Sequence, residues 1–400
     1  LGHYERLIGT VGVGGGARRD VATAMHRIGQ IHAALGRPGG ADRAFEQTVV
    51  IRRELAERPG ARPADRLALA ESLRARGAAL NALGLDFAAE GLHREAADLA
   101  DALVAENHPG AASHLGALIE SLNDLSQSLE YQARHVEAEA IHRRAHQLAR
   151  TLAASHPSPP RHRALLVRTL RREGARAAVR GDWDGAVVAL RQAVEILEDL
   201  HADDPDRIDV QAGLAAALGD LAVVLSRADR PHDAEPDLRR SIALNDELAE
   251  DHPDVLLYRR RSASGWHDLG VLNERLGRVA DSEAAWRRSI ELYEGILRDF
   301  PDHHELRAEL AETNALLASK AVCARRPAAV LEFRGSATAA ARSLVDLAPA
   351  DAARRLLLAG VWISIGCDLQ AYDRGDEAER HLRNGLAAFD VSLELDPAAD

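Results

Sequence analysis

Prolines divide this chain into equal lengths. Pro109, Pro157, Pro205, Pro253, Pro301, Pro349 and Pro397 stand 48 residues apart, and Pro59 precedes Pro109 by 50. Proline lacks the amide hydrogen a helix needs and drives the residue before it out of the helical region, so a proline period is a period of helix ends. His108, His156 and His252 each precede one of these prolines, where a protonated imidazole favours the negative end of a helix dipole. Between prolines lie two apolar-periodic segments of roughly 20 residues joined by a short polar break. The stretches "DLRRSIALNDELAEDHPDV" (237–255) and "AWRRSIELYEGILRDFPDH" (285–303) display the likeness of one period to the next. At 1.5 Å per residue each segment predicts a helix roughly 30 Å long. A repeat of this kind buries its apolar faces only against its neighbours, so the expectation is an all-α chain of stacked helical hairpins.

Composition agrees. Four hundred residues exceed what one core usually takes. Aromatic residues make up only 4% of them, and the dominance of Ala, Leu, Arg and Glu favours helix over sheet. The net charge of −12 argues against nucleic acid as a partner, since a duplex-binding surface needs an excess of basic groups. Cys323 and Cys367 lie 44 residues apart and match neither a metal-ligand spacing nor a disulfide framework, which leads us to expect a reducing, cytoplasmic setting and no metal. No run reaches the roughly 18 apolar residues that a membrane span needs; the longest, "LLLAGVWISIGC" (356–367), reads as a buried helix, so no membrane partner is expected. The chain opens on Leu1 and is expected to be a piece of a longer protein. Lys320 is its only lysine. It lies far from any glycine loop, so neither a P-loop nor a kinase lysine is available.

The two segments of each unit carry a more specific signature. Trp266, Leu269 and Gly270 lie on the first, Gly277 makes the turn, and Trp286 and Ser289 follow on the second. The same slots hold Met25, Ile28, Gly29, Gly36, Ala41 and Phe45 in the first unit, and Leu170, Gly174, Gly181, Ala186, Leu190 and Ala193 in the fourth. In the eighth they are Trp362, Ile365, Gly366, Ala378 and Leu382. This resembles the tetratricopeptide repeat (TPR), W-x2-L-G … A-x3-F-x2-A … P, lengthened from 34 residues to 48. The resemblance implies a right-handed α-solenoid of about eight hairpins starting near residues 18, 65, 113, 161, 209, 257, 305 and 353, the seventh degenerate. It also implies a non-catalytic scaffold that binds a protein or peptide and needs no cofactor. The wording of the units is similar to arrays fused to bacterial serine/threonine kinases and other signalling proteins, so a regulatory arm of a larger enzyme is the alternative.

Local features are read within that register. "IGTVGVGGGARRD" (8–20) approaches a nucleotide-binding fingerprint, but neither a βαβ unit nor a lysine follows it. We read residues 1–17 as the tail of a truncated upstream helix and a glycine-rich loop. His142 and His146 lie four apart with no acidic residue completing a zinc motif, which favours packing between helices. In TPR proteins the first helices line a concave groove, and the register puts His26, Gln30, Arg74, Glu120, Asn123, Gln127, Arg168, Arg171 and His267 on it. Arg168 and Arg171 belong to "RHRALLVRTLRREGARAAVR" (161–180), the one strongly basic stretch. They imply an acidic or phosphorylated partner, against the plainer reading of a solvated arginine face. The Lys/Asn carboxylate clamp of some chaperone-binding TPR domains is not present at these slots. The apolar first helix of the last unit, with Ile363 and Cys367 at groove slots, suggests self-association through that end.

Overall fold

The computed structural model describes residues 15–106, 110–156, 158–301, 303–323, 332–339, 341–342, 352–370 and 375–395. Residues 1–14, with the expected helix tail, lie outside these, while Gly15 and Gly16 of the glycine stretch already belong to the first described helix. All regular structure among the described residues is helical, and it runs in pairs. These are Gly15–Ala34 (α1) with Pro38–Ala56 (α2), Pro63–Asn81 (α3) with Asp86–Ala105 (α4), Ala111–Tyr131 (α5) with His135–Ser155 (α6), and Arg161–Val179 (α7) with Trp183–Asp203 (α8). There follow Ile208–Arg227 (α9) with Pro231–Asp251 (α10), Leu256–Arg275 (α11) with Val279–Asp299 (α12), and His304–Cys323 (α13). A helical stretch over 332–339 and the pair Ala352–Gln370 (α14) with Gly375–Leu395 (α15) complete the order.

The chain divides into two compact units, residues 1–205 and 206–400. Within each, a helix packs on the next in sequence, and the first helices of neighbouring hairpins also touch, as α3 with α5 and α9 with α11 do. Among the described residues the second helices make no comparable contact. First helices therefore form the inner face of each array.

One backbone device sets every described turn. The second residue beyond the first helix, or the third at Gly84, has positive φ at Gly36, Gly84, Ala133, Gly181, Asp229 and Gly277. At Gly277 this lets its amide bond the Glu274 carbonyl at 2.9 Å while the Arg278 amide reaches the Asn273 carbonyl at 2.8 Å, which satisfies the orphan carbonyls of the α11 terminus. Glycine adopts this conformation without strain, whereas Ala133 and Asp229 carry a Cβ into it.

The small and large slots of the signature meet inside each hairpin. A Cβ on Gly270 would stand 2.8 Å from Cε2 of Trp286, and the Trp286 ring is fully enclosed. Gly174 with Leu190 and Gly29 with Phe45 repeat the arrangement. Apolar burial is spread over small clusters between neighbours, such as Ala100, Leu118, Leu122 and Ala145 in the first unit and Ala263, Tyr293, Ile296 and Leu306 in the second. That is the energetics of a repeat array, in which stability resides in nearest-neighbour interfaces.

Two sequence expectations change. The helix with the length and apolar composition of a membrane span is α9 rather than 356–367. Its polar residues interrupt the run, and its Leu214, Leu218, Leu221 and Leu225 are buried against neighbouring helices, as in a core helix of an array. In the last unit, the apolar α14 is partly covered: Leu358, Val361 and Ile365 join a cluster with Ala311, Ala337 and Ala378.

Candidate functional site

Of the groove residues named from the register, eight lie in the first unit, and His267 lies in the second. On α1, His26 is half-buried with its ring centroid 5.2 Å from that of Phe45. Burial, reinforced by the charges of Arg52 and Arg27, lowers its pKa to about 4, so it is neutral near pH 7. Gln30 is exposed and accepts from Arg27 at 2.8 Å.

The central hairpins hold a ladder of alternating charge. Arg74 on α3 donates from Nε to Asp124 at 2.8 Å and pairs with Glu120, both on α5. From the other side Arg168 approaches Glu120 at 3.3 Å and Arg172 approaches Asp124 at 3.2 Å. Burial opposes the ionisation of Asp124, but Arg74 and Arg172 outweigh it, and its pKa is lowered. Gln127 accepts from Arg172 at 2.8 Å and donates to the Tyr131 hydroxyl at 2.6 Å. Asn123 is fully buried and donates to Thr169 at 3.0 Å, out of reach of a ligand. Arg171 is half-buried on α7. The basic stretch of α7 thus faces the carboxylates of α5, and an acidic ligand on this face competes with Glu120 and Asp124.

On the inner face of the second unit, His267 Nδ1 lies 2.9 Å from the Thr313 hydroxyl, and burial lowers its pKa. Its neighbour Asp268 has a pKa of about 7, raised by burial, opposed by Arg227, and raised further by Glu309 and Asp220. Glu309 itself accepts from Arg260 Nε at 3.0 Å.

The seam between the third and fourth hairpins departs from the others. In register, Glu173 occupies the slot of Leu125, Leu221 and Leu269, and Arg176 that of Val224 and Leu272. The side chain of Arg176 is only 7% exposed, with Nε 2.9 Å from Glu130 and Nη2 2.7 Å from Glu139. Its Nη1 donates to the Ala138 carbonyl and to Ser126 Oγ, each at 3.0 Å. His142, in the slot of Trp286, is buried with Nε2 2.6 Å from Glu173. That contact first, and burial against it, leaves the pKa of Glu173 lowered. The expected packing role of His142 is therefore joined to a polar contact with Glu173.

Above this polar seam a cleft of about 960 Å³ opens between the turn ends of α5 and α6 and the end of α7. Gln127, Arg172 and Ala175 connect it to the inner face. Tyr131, Val136 and Val179 stand in it 56%, 86% and 84% exposed, and large apolar side chains clustered on a surface mark a binding site. The register did not single these three out. The signal available in the sequence was the pair of charges, Glu173 and Arg176, standing in leucine slots.

Residues 21–59 and 214–254, one hairpin from each unit, match the tetratricopeptide repeat family model. No curated protein matches the chain at a significant level. Among solved structures, the apo form of the quorum sensor NprR from B. thuringiensis is similar with a TM-score of 0.52 and 10% identity, over 92% of this chain and 87% of that one. The putative kinesin light chain TPR-like repeats from Podosopora anserina reach a TM-score of 0.35 and 19% identity over 57% of this chain and 95% of that one. At 10% identity the likeness to NprR is one of fold. The family match in one hairpin of each unit, the glycine-to-large-residue packing and the recurrent turn make the fold one of tetratricopeptide-repeat-like hairpins, in a form with a 48-residue unit.

Proposed function

We propose that the chain is a non-catalytic scaffold that holds a peptide or protein segment on the inner face of its first unit. The observation that carries this reading is the open cleft of about 960 Å³ that continues that face at Gln127, Arg172 and Ala175, since binding sites are concave, largely apolar and supplied with a few polar groups. Lys320 is engaged with Glu274, and the buried His142 faces Glu173 rather than a nucleophile, which favours binding over chemistry. Arg168 and Arg171 flank the approach to the cleft along α7. Random peptides displayed on phage and selected on the 400-residue chain test the proposal. Enriched peptides that bind an Arg168→Glu, Arg171→Glu double variant more weakly, at unchanged melting temperature, are the expected result. Equal binding by the double variant removes the inner-face arginines from the site, and failure to enrich any peptide refutes the scaffold reading. Leu356, Cys367 and Leu386 are exposed on the last hairpin, and self-association through them is read in the same material as a mass above the monomer by light scattering.

A further inference from the structure

We infer that the cleft between the third and fourth hairpins is an anchor pocket for an acidic segment, one that inserts an apolar side chain and lays a carboxylate beside it. The inference rests on the scaffold reading above and makes it specific to one place and one chemistry.

The apolar part follows from exposure. Tyr131 at the end of α5, Val136 at the start of α6 and Val179 at the end of α7 face one opening. Exposing them to water forfeits burial that a docked side chain restores. The cleft is large enough for a bulky aliphatic or aromatic anchor, and Ala140 and Ala175 leave room at its walls.

The acidic part follows from counting charges. Arg143, Arg172, Arg176 and Arg180 line the cleft beside Glu130 and Glu139. Arg172 is answered by Asp124 and Arg176 by Glu130. That leaves the Glu139 carboxylate to serve Arg143 at 3.4 Å and Arg180 at 3.3 Å, while it also accepts from Arg176 at 2.7 Å. Glu173, the next carboxylate, is 3.9 Å from Arg180 and already held by His142. Two exposed guanidinium groups therefore share an oversubscribed carboxylate at the rim. A second carboxylate supplied by a partner completes them, because a guanidinium presents several donors in a fork that suits carboxylate oxygens. A basic partner meets repulsion at the same rim, so the charge discriminates between partners as well as attracting one.

The proposal predicts that peptides selected on the chain carry an aromatic or large aliphatic residue flanked by Asp or Glu. Val136→Glu and Val179→Glu each place a charge in the pocket and are expected to weaken such a peptide roughly tenfold or more, the usual consequence of spoiling an anchor site. Arg143→Glu with Arg180→Glu is expected to weaken acidic peptides and to admit basic ones. All four positions are at or near the surface, so melting temperature serves as the folding control. Peptides that survive the valine changes but are lost with Arg168→Glu and Arg171→Glu overturn the cleft and leave the scaffold standing. Selected peptides without acidic residues overturn the charge argument. A lower solution mass for Val179→Glu than for the parent assigns the cleft to a second copy of the chain and overturns the acidic segment. No selected peptide at all overturns both readings.

Discussion

Gly270 tests whether the hairpin is held by close approach of its two helices. Replacing it with Ala brings a Cβ to 2.8 Å from Cε2 of Trp286, and nearer still to Cδ1 and Nε1. The ring is fully enclosed and cannot swing away, so either α11 or α12 must shift. Overpacking of this kind costs about 1–3 kcal/mol. Against it stands a gain of about 1 kcal/mol from replacing glycine by alanine inside a helix. Trp286 is rigid, which puts the cost in the upper part of its range, and Gly270→Ala is expected to destabilise by about 1–2 kcal/mol. The informative comparison is the Trp286→Leu background. The fifth hairpin uses Ala222 and Leu238 at these two slots, and both are buried there. In that background Gly270→Ala is expected to reverse sign and stabilise by up to about 1 kcal/mol, a coupling of about 2–3 kcal/mol between the two positions. Urea unfolding of the four proteins, followed by circular dichroism, reads the effect as a shift in midpoint at unchanged slope. If Gly270→Ala stabilises by the same amount with Trp286 present, the contact of glycine with the ring is not what sets the hairpin spacing.

Two further predictions concern stability. The folded pKa of Asp268, about 7 against an ordinary value of 3.8, means that the folded chain binds the more protons between those values. Stability falls as pH rises through that window, and Asp268→Asn is expected to be more stable than the parent by about 1–3 kcal/mol at pH 8, after allowance for partial contact with water, and to lose that advantage towards pH 4; a difference that does not vary with pH removes the argument. Ala133 has φ of +56° in a turn where four of its five counterparts are glycine, so Ala133→Gly is expected to stabilise by about 0.5–1 kcal/mol in thermal melting, and a loss of stability shows that the turn carries no strain.

Much of the fold was readable because its signals are local and periodic. Proline spacing and the apolar period determine where helices stop, and α8, α10 and α12 each end two residues before a period proline. The division after Pro205 was not readable, since the 48-residue register runs through it unchanged. Trp266 reads as a buried anchor in the pattern, yet it is half-buried with Nε1 3.4 Å from Asp246, while Trp286 is the enclosed ring. The first-helix slot borders the preceding hairpin, and what that neighbour offers decides how deep the side chain sits. The groove positions illustrate the same limit. A register places Arg74 and Arg168 on a face, but their partners Glu120 and Asp124 lie 46 to 50 residues away along the chain, and long side chains choose among such partners by reach. The charges at Glu173 and Arg176 were visible, but among the arginines of α7 they read as one more solvated face.

The seam centred on Arg176 also responds to temperature in its own way. Apolar contacts such as those of Leu118 and Leu122 weaken on cooling, because the cost of hydrating hydrocarbon falls. The penalty for withdrawing charges from water, as Arg176, Glu130 and Glu139 are withdrawn, falls instead on heating. Within the first unit, the third and fourth hairpins are thus fastened by a joint whose strength goes on growing in warmth, where the hold of their leucine-packed neighbours levels off.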